Sequence, residues 1–165
     1  MTLFYDQSVP FLIKGLEALT KFMKKAEGQC DERKIDKSVV LGLRLAPDML
    51  NFTRQILIVT DQAKGAGARC SGITPPVYAD DEKTFDELQA RLAKTIEFLK
   101  TLKAADFDPN RDVTIKIAGQ DVTMKALAYF NGGVLPNFYF HMSTAYDILR
   151  ANGFSLGKAD FLGRG

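Results

Sequence analysis

Thr84-Phe-Asp-Glu-Leu-Gln-Ala-Arg-Leu-Ala-Lys-Thr-Ile-Glu-Phe-Leu-Lys-Thr-Leu102 decides the class of fold. Its apolar residues Phe85, Leu88, Leu92, Ile96, Leu99 and Leu102 recur at threes and fours, the stripe of an amphipathic helix, with Lys94, Glu97 and Lys100 on the wet side. Thr84 and Glu87 make a capping box, in which hydroxyl and carboxylate satisfy each other's orphan backbone donors. The same period governs the chain on either side. From Val9, the set Leu12, Ile13, Leu16, Leu19, Met23 and Ala26 predicts a first long helix, with Pro10 in its first turn, Asp6 or Ser8 as cap and an end near Gly28. A short helical turn follows around Ser38 to Leu43. Pro47 then opens a second long helix with the stripe Met49, Phe52, Ile56, Val59 and Ala63, weakened at its end by Gly65 and Gly67.

Between these helices, Cys70 to Asp81 has Gly72, Pro75 and Pro76 and no period, so it reads as a surface crossing. After Lys103 the period changes to two. Val113, Ile115 and Ile117 alternate with polar residues and Ala118-Gly119 punctuates before Val122 and Met124, which predicts a hairpin from about Asp112 to Met124 lying on the helices. A helical turn at Lys125 to Phe130 ends at Asn131-Gly132-Gly133, and the last long helix runs from Pro136 to Asn152-Gly153. Its run Phe138, Tyr139, Phe140 sweeps too wide an arc for one stripe, which implies a central place or a subunit contact. The tail, Phe154 to Gly165, reads as an extended strap docking Leu156, Phe161 and Leu162. Helices of roughly 18 to 25 residues make an all-α four-helix bundle with a hairpin insertion the natural architecture. Residues 1–165 read as one domain.

Composition narrows the chemistry. The chain holds one His, two Cys and no Trp in 165 residues, with a net charge of +2. One imidazole excludes three-His metal centres and two-His relays within a chain. The near-neutral charge gives no electrostatic footprint for nucleic acid. No apolar run is long enough for a membrane span, and the N-terminus lacks a secretory pattern, so the expected compartment is the cytoplasm, with Cys30 and Cys70 as free thiols. Gly65-Ala-Gly67-Ala-Arg-Cys70-Ser-Gly72 fails as a phosphate loop, because it follows a helix, lacks GK[ST] and puts Cys70 where a third glycine belongs. It reads as a fraying helix end. There is no G-x-S-x-G elbow, and Asp80 and Asp81 read as solvated loop charge.

One polar constellation remains. Asp48, Gln55 and Gln62 stand seven apart beside the core stripe of the second helix, while Asn137 and His141 stand four apart on the last. If those helices run parallel, Asp48 and Asn137 sit at matching depths with His141 one turn deeper, and a small-molecule pocket forms around Asp48, Gln55, Asn137 and His141. The plainer reading makes Asp48 and Asn137 first-turn residues behind Pro47 and Pro136, and His141 a hydrogen-bonded core residue.

These residues carry a resemblance. Leu45-Ala-Pro-Asp-Met49 with Gln55 and Asp61, then Leu135-Pro-Asn-Phe-Tyr-Phe-His-Met-Ser-Thr-Ala-Tyr-Asp-Ile-Leu-Arg150-Ala-Asn-Gly153 and Leu156-Gly-Lys-Ala-Asp-Phe-Leu-Gly163, resemble a bacterial family of unknown function grouped with the DinB/YfiT-like metalloenzymes. Members of that superfamily include thiol-dependent transferases. The resemblance spans essentially the whole chain and implies a four-helix bundle, usually dimeric, with a divalent metal on three His. One ligand comes from the start of the second helix and two from an H-x-x-x-H pair on the last. Carried onto this sequence those positions are Asp48, Asn137 and His141, of which only the last is His, so the metal site is degenerate. An Asn oxygen replaces an imidazole poorly at zinc or nickel, which leaves a harder ion on Asp48 and His141 as the metal-binding version. Two expectations follow: a small-molecule pocket at these residues, or a non-catalytic homodimeric bundle that has lost the metal. Nucleic-acid binding, suggested by superfamily members linked to DNA damage, is disfavoured by the charge.

Overall fold

The computed structural model describes residues 3–164. In chain order its helices are α1 (Leu3–Asp6), α2 (Val9–Arg33), α3 (Lys37–Gly42), α4 (Phe52–Ser71), α5 (Phe85–Lys100), α6 (Ala126–Tyr129), α7 (Leu135–Ala151) and α8 (Lys158–Phe161). Strands β1 (Asp112–Ile117) and β2 (Gln120–Lys125) stand before α6. The long helices α2, α4, α5 and α7 share one core built on Phe22, Phe52, Ile56, Phe85 and Phe138, each no more than 2% exposed. Among the described residues no helix is long and apolar enough to cross a membrane.

Helix ends differ from the sequence expectation where packing outweighs a local breaker. The first long helix continues past Gly28 to Arg33, because Gly28 is exposed and Cys30 extends the buried stripe one turn beyond Ala26. Lys34 then stops it in the left-handed conformation, φ +55°. The second long helix begins at Phe52, not Pro47. Asn51 caps it, its Oδ1 accepting from the Arg54 N–H at 3.0 Å, and the Phe52 N–H donates to the Leu43 carbonyl at 2.8 Å, pinning residues 43–51 as a loop. Gly65 and Gly67 do not fray this helix, which runs to Ser71. A Cβ on Gly67 would stand 2.6 Å from Leu99 Cδ2, so the glycine lets α4 and α5 approach closely.

The capping box at Thr84 forms as read, and Phe85, Leu88, Leu92, Ile96, Leu99 and Leu102 are all buried. The hairpin pairs Val113 with Met124 and Ile115 with Val122. Its turn places Ala118 and Gly119 at φ +49° and +84°, the two positive values that a twist-matched two-residue turn requires. Asn131-Gly132-Gly133 does not end the next helical turn. Residues Phe130–Val134 form a π-helical turn that carries α6 directly into α7 and keeps Phe130 and Val134 buried. On α7 Phe138 is buried while Tyr139 and Phe140 remain exposed. The tail is extended over residues 154–157, burying Phe154 and Leu156, then closes in α8, where Asp160 pairs with Lys25 of α2 at 2.9 Å.

Candidate functional site

Gln55 lies on the first turns of α4 and is buried beside the core stripe. Its amide is oriented by the loop before the helix: Nε2 donates to the Leu50 carbonyl at 2.9 Å, which leaves Oε1 as an acceptor. That oxygen stands 2.6 Å from His141 Nδ1 on α7. An amide oxygen cannot donate, so Nδ1 carries the proton and Nε2 the lone pair. His141 is 9% exposed, and among the described residues its Nε2 makes no hydrogen bond. Burial holds the imidazole below its usual pKa of 6.5 and favours the neutral form. The Phe140 ring meets it edge-on, centroids 5.1 Å apart.

The parallel arrangement on which the four-residue convergence rested is not found. Gln55 meets His141 toward one end of α4, and Arg69 donates to the Tyr129 hydroxyl at 3.1 Å toward the other, so α4 and the α6–α7 run are antiparallel. Asp48 is exposed on the turn of the 43–51 loop, outside any helix, and makes no hydrogen bond or ion pair among the described residues. It stands two residues before Leu50, the anchor of Gln55. Asn137 is half-buried one turn before His141 on α7, and Gln62 is half-buried on α4. Gln55 and His141 are thus the two candidates that the structure joins.

The ligand set implied for a divalent metal does not fit. Among the described residues no group of three or more His, Cys, Asp or Glu could hold an ion, and the single imidazole has its Nδ1 on an amide. Cys30 and Cys70 are buried and unbridged, and burial pushes the Cys70 thiol up to about 12, which keeps it protonated.

A second polar cluster was missed. Arg91 of α5 falls on the core stripe between Leu88 and Thr95, and its side chain is 1% exposed. Its Nε donates to Thr60 Oγ1 at 2.7 Å, Nη2 to Asp61 Oδ1 at 2.8 Å and Nη1 to Glu82 Oε1 at 2.9 Å, and Asp80 Oδ1 makes an ion pair with Nη1 at 2.7 Å. Asp80 is therefore held by a buried cation rather than freely solvated. The available signal was an arginine on an apolar stripe, which must find partners when buried.

A crystal structure of a DinB family member protein from Shewanella denitrificans is similar to this chain with a TM-score of 0.89 and 37% identity, over 96% of this chain and 91% of that one. The fold is DinB-like. Residues 4–162 match the family described as "Domain of unknown function (DUF1993)", and the chain belongs to it. No curated protein matches it.

Proposed function

We propose that this DinB-like chain binds a small molecule without a metal, using the His141 Nε2 lone pair as the polar anchor. The reading takes α2, α4, α5 and α7 as a single-domain four-helix bundle closed by the C-terminal strap, with the ancestral metal site degenerate. The carrying observation is the 2.6 Å contact between His141 Nδ1 and Gln55 Oε1. With the proton on Nδ1, Nε2 is an uncharged acceptor able to serve as a base. Gln55 positions the ring, the 43–51 loop bearing Asp48 holds Gln55 through the Leu50 carbonyl, and Asn137 offers an amide on the same helix face as His141. The ligand chemistry that fits is a hydroxyl, amide or thiol donor beside an aromatic edge supplied by Phe140.

Diethyl pyrocarbonate tests the anchor, since it acylates accessible neutral imidazole and the chain has one His. One equivalent should react in the folded protein, and donor-bearing fragments should protect it. A native protein that does not react contradicts the reading.

A second reading, the non-catalytic homodimer, is favoured by one observation. Phe11, Tyr139 and Phe140 are 53%, 38% and 54% exposed, and Phe11 and Tyr139 line one groove between α2 and α7. Such a surface suits a second copy of the chain.

A further inference from the structure

The crossing between α4 and α5 has an unusual attachment. Among the described residues, no backbone–backbone hydrogen bond to another part of the chain involves residues 74–82. What fixes the segment is side-chain chemistry on Arg91, whose Nη1 takes both Asp80 and Glu82, and on the Tyr78 ring. Three cations stand over that ring, Lys64 Nζ, Arg91 Cζ and Lys94 Nζ, at 4.7, 4.9 and 4.4 Å from its centroid. The closed position is also imperfect. Tyr78 Oη and Glu82 Oε2 are buried with no hydrogen-bond partner, so closure removes them from water without replacing what they lost. Asp80 adopts φ +59°, a left-handed conformation that a non-glycine residue disfavours. Val77, near the middle, is 91% exposed. A hollow of about 460 Å³ lies between the segment and α5, lined by Tyr78, Asp81, Glu82, Glu87, Arg91 and Lys94 among others.

Lifting the segment would take Tyr78, Asp80 and Glu82 with it. Arg91, Lys64 and Lys94 would stay on α4 and α5. Asp61, bonded to both Arg91 and Lys64, would remain as their carboxylate partner, and Glu87 stays engaged at the α5 N-terminus with Thr84. Three cations against Asp61 and Glu87 still leave a surplus of positive charge, and the Thr60 hydroxyl holds the guanidinium in place. Both displaced carboxylates come from one guanidinium nitrogen, so the natural substitute is a small ligand carrying two negative charges on oxygen.

We propose that residues 74–82 are a lid whose Asp80 and Glu82 carboxylates occupy an oxyanion site on Arg91, Lys64 and Lys94, and that a small dianion, a phosphate group or a dicarboxylate, takes their place when the lid opens. The site is separate from the Gln55–His141 pair and does not depend on it.

The test is calorimetric titration of the full chain with inorganic phosphate and, separately, with malonate. Removing the internal competitor in the isosteric double variant Asp80→Asn, Glu82→Gln should tighten one of them by about tenfold or more, because affinity scales with the open fraction. Adding Lys94→Ala, an exposed position, should weaken it again. The anion that gains identifies the ligand class. If neither binds the double variant more tightly than the unaltered protein, or if binding ignores Lys94→Ala, the proposal is overturned. The unaltered chain gives a second readout that does not require the variant to fold. Nitration of Tyr78 by tetranitromethane, mapped by mass spectrometry, should rise at saturating concentration of the binding anion. Nitration that both anions leave unchanged overturns the proposal equally.

Discussion

At Gln55 one amide makes two bonds, Nε2 to the Leu50 carbonyl and Oε1 to the His141 ring, so the loop before α4 determines which imidazole nitrogen bears the proton. Gln55→Leu keeps the apolar bulk and strands the inner N–H, a loss of about 1–3 kcal/mol for a buried polar group left unpaired, to be read from urea unfolding. The pH dependence has a fixed sign. Because burial lowers the folded pKa of His141 below its usual 6.5, the unfolded chain binds more protons as pH falls through that value. This contribution to stability is fully present above about 6.5 and is lost on acidification toward the lower folded pKa. Unfolding followed from pH 8 to 5 should show a slope that His141→Phe flattens. Stability that ignores the substitution throughout that range contradicts the placement of the ring.

At the scale of elements, Gly67 tests the α4–α5 contact. A Cβ at this position would meet Leu99 Cδ2 and Leu102 Cδ1 at 2.6 and 2.7 Å. Gly67→Ala therefore overpacks the contact and should cost about 1–3 kcal/mol despite the better helix propensity of alanine. A neutral or stabilising effect in thermal unfolding would mean that the helices can part without loss. The same position shows how legible the elements were. Apolar period located all four long helices, and the Thr84 box placed the start of α5, because those signals are local. Gly28, Gly65 and Gly67 misled as breakers, since whether a glycine interrupts a helix depends on the face it occupies and on the partner pressed against it. Pro47 misled in the same way: the Asn51 cap and the Leu43–Phe52 hydrogen bond, a loop closure, determined where α4 begins. The π-turn at Phe130–Val134 answers a tertiary demand, burial of both end residues, that a period of 3.6 does not express.

For the molecule as a whole, helix direction separated the parts of the site that could be read from those that could not. The i, i+4 relation of Asn137 and His141 and the core-side position of Gln55 were visible in spacing alone. That α4 and α7 are antiparallel was not, and it is this that leaves Asp48 on an exposed loop turn while bringing Gln55 to the imidazole. Arg91 was passed over because its partners come from α4 and from the crossing, separated from it by 30 residues at Asp61 and 9 at Glu82. The whole chain contains one imidazole, so nitrogen NMR of uniformly labelled protein reports on the central claim without ambiguity. At pH 7 the account predicts a neutral ring with the proton on Nδ1 and a bare Nε2, unmoved by one equivalent of zinc and altered in Gln55→Leu. A ring protonated on Nε2, a charged imidazolium at that pH, or stoichiometric capture of the metal would contradict it.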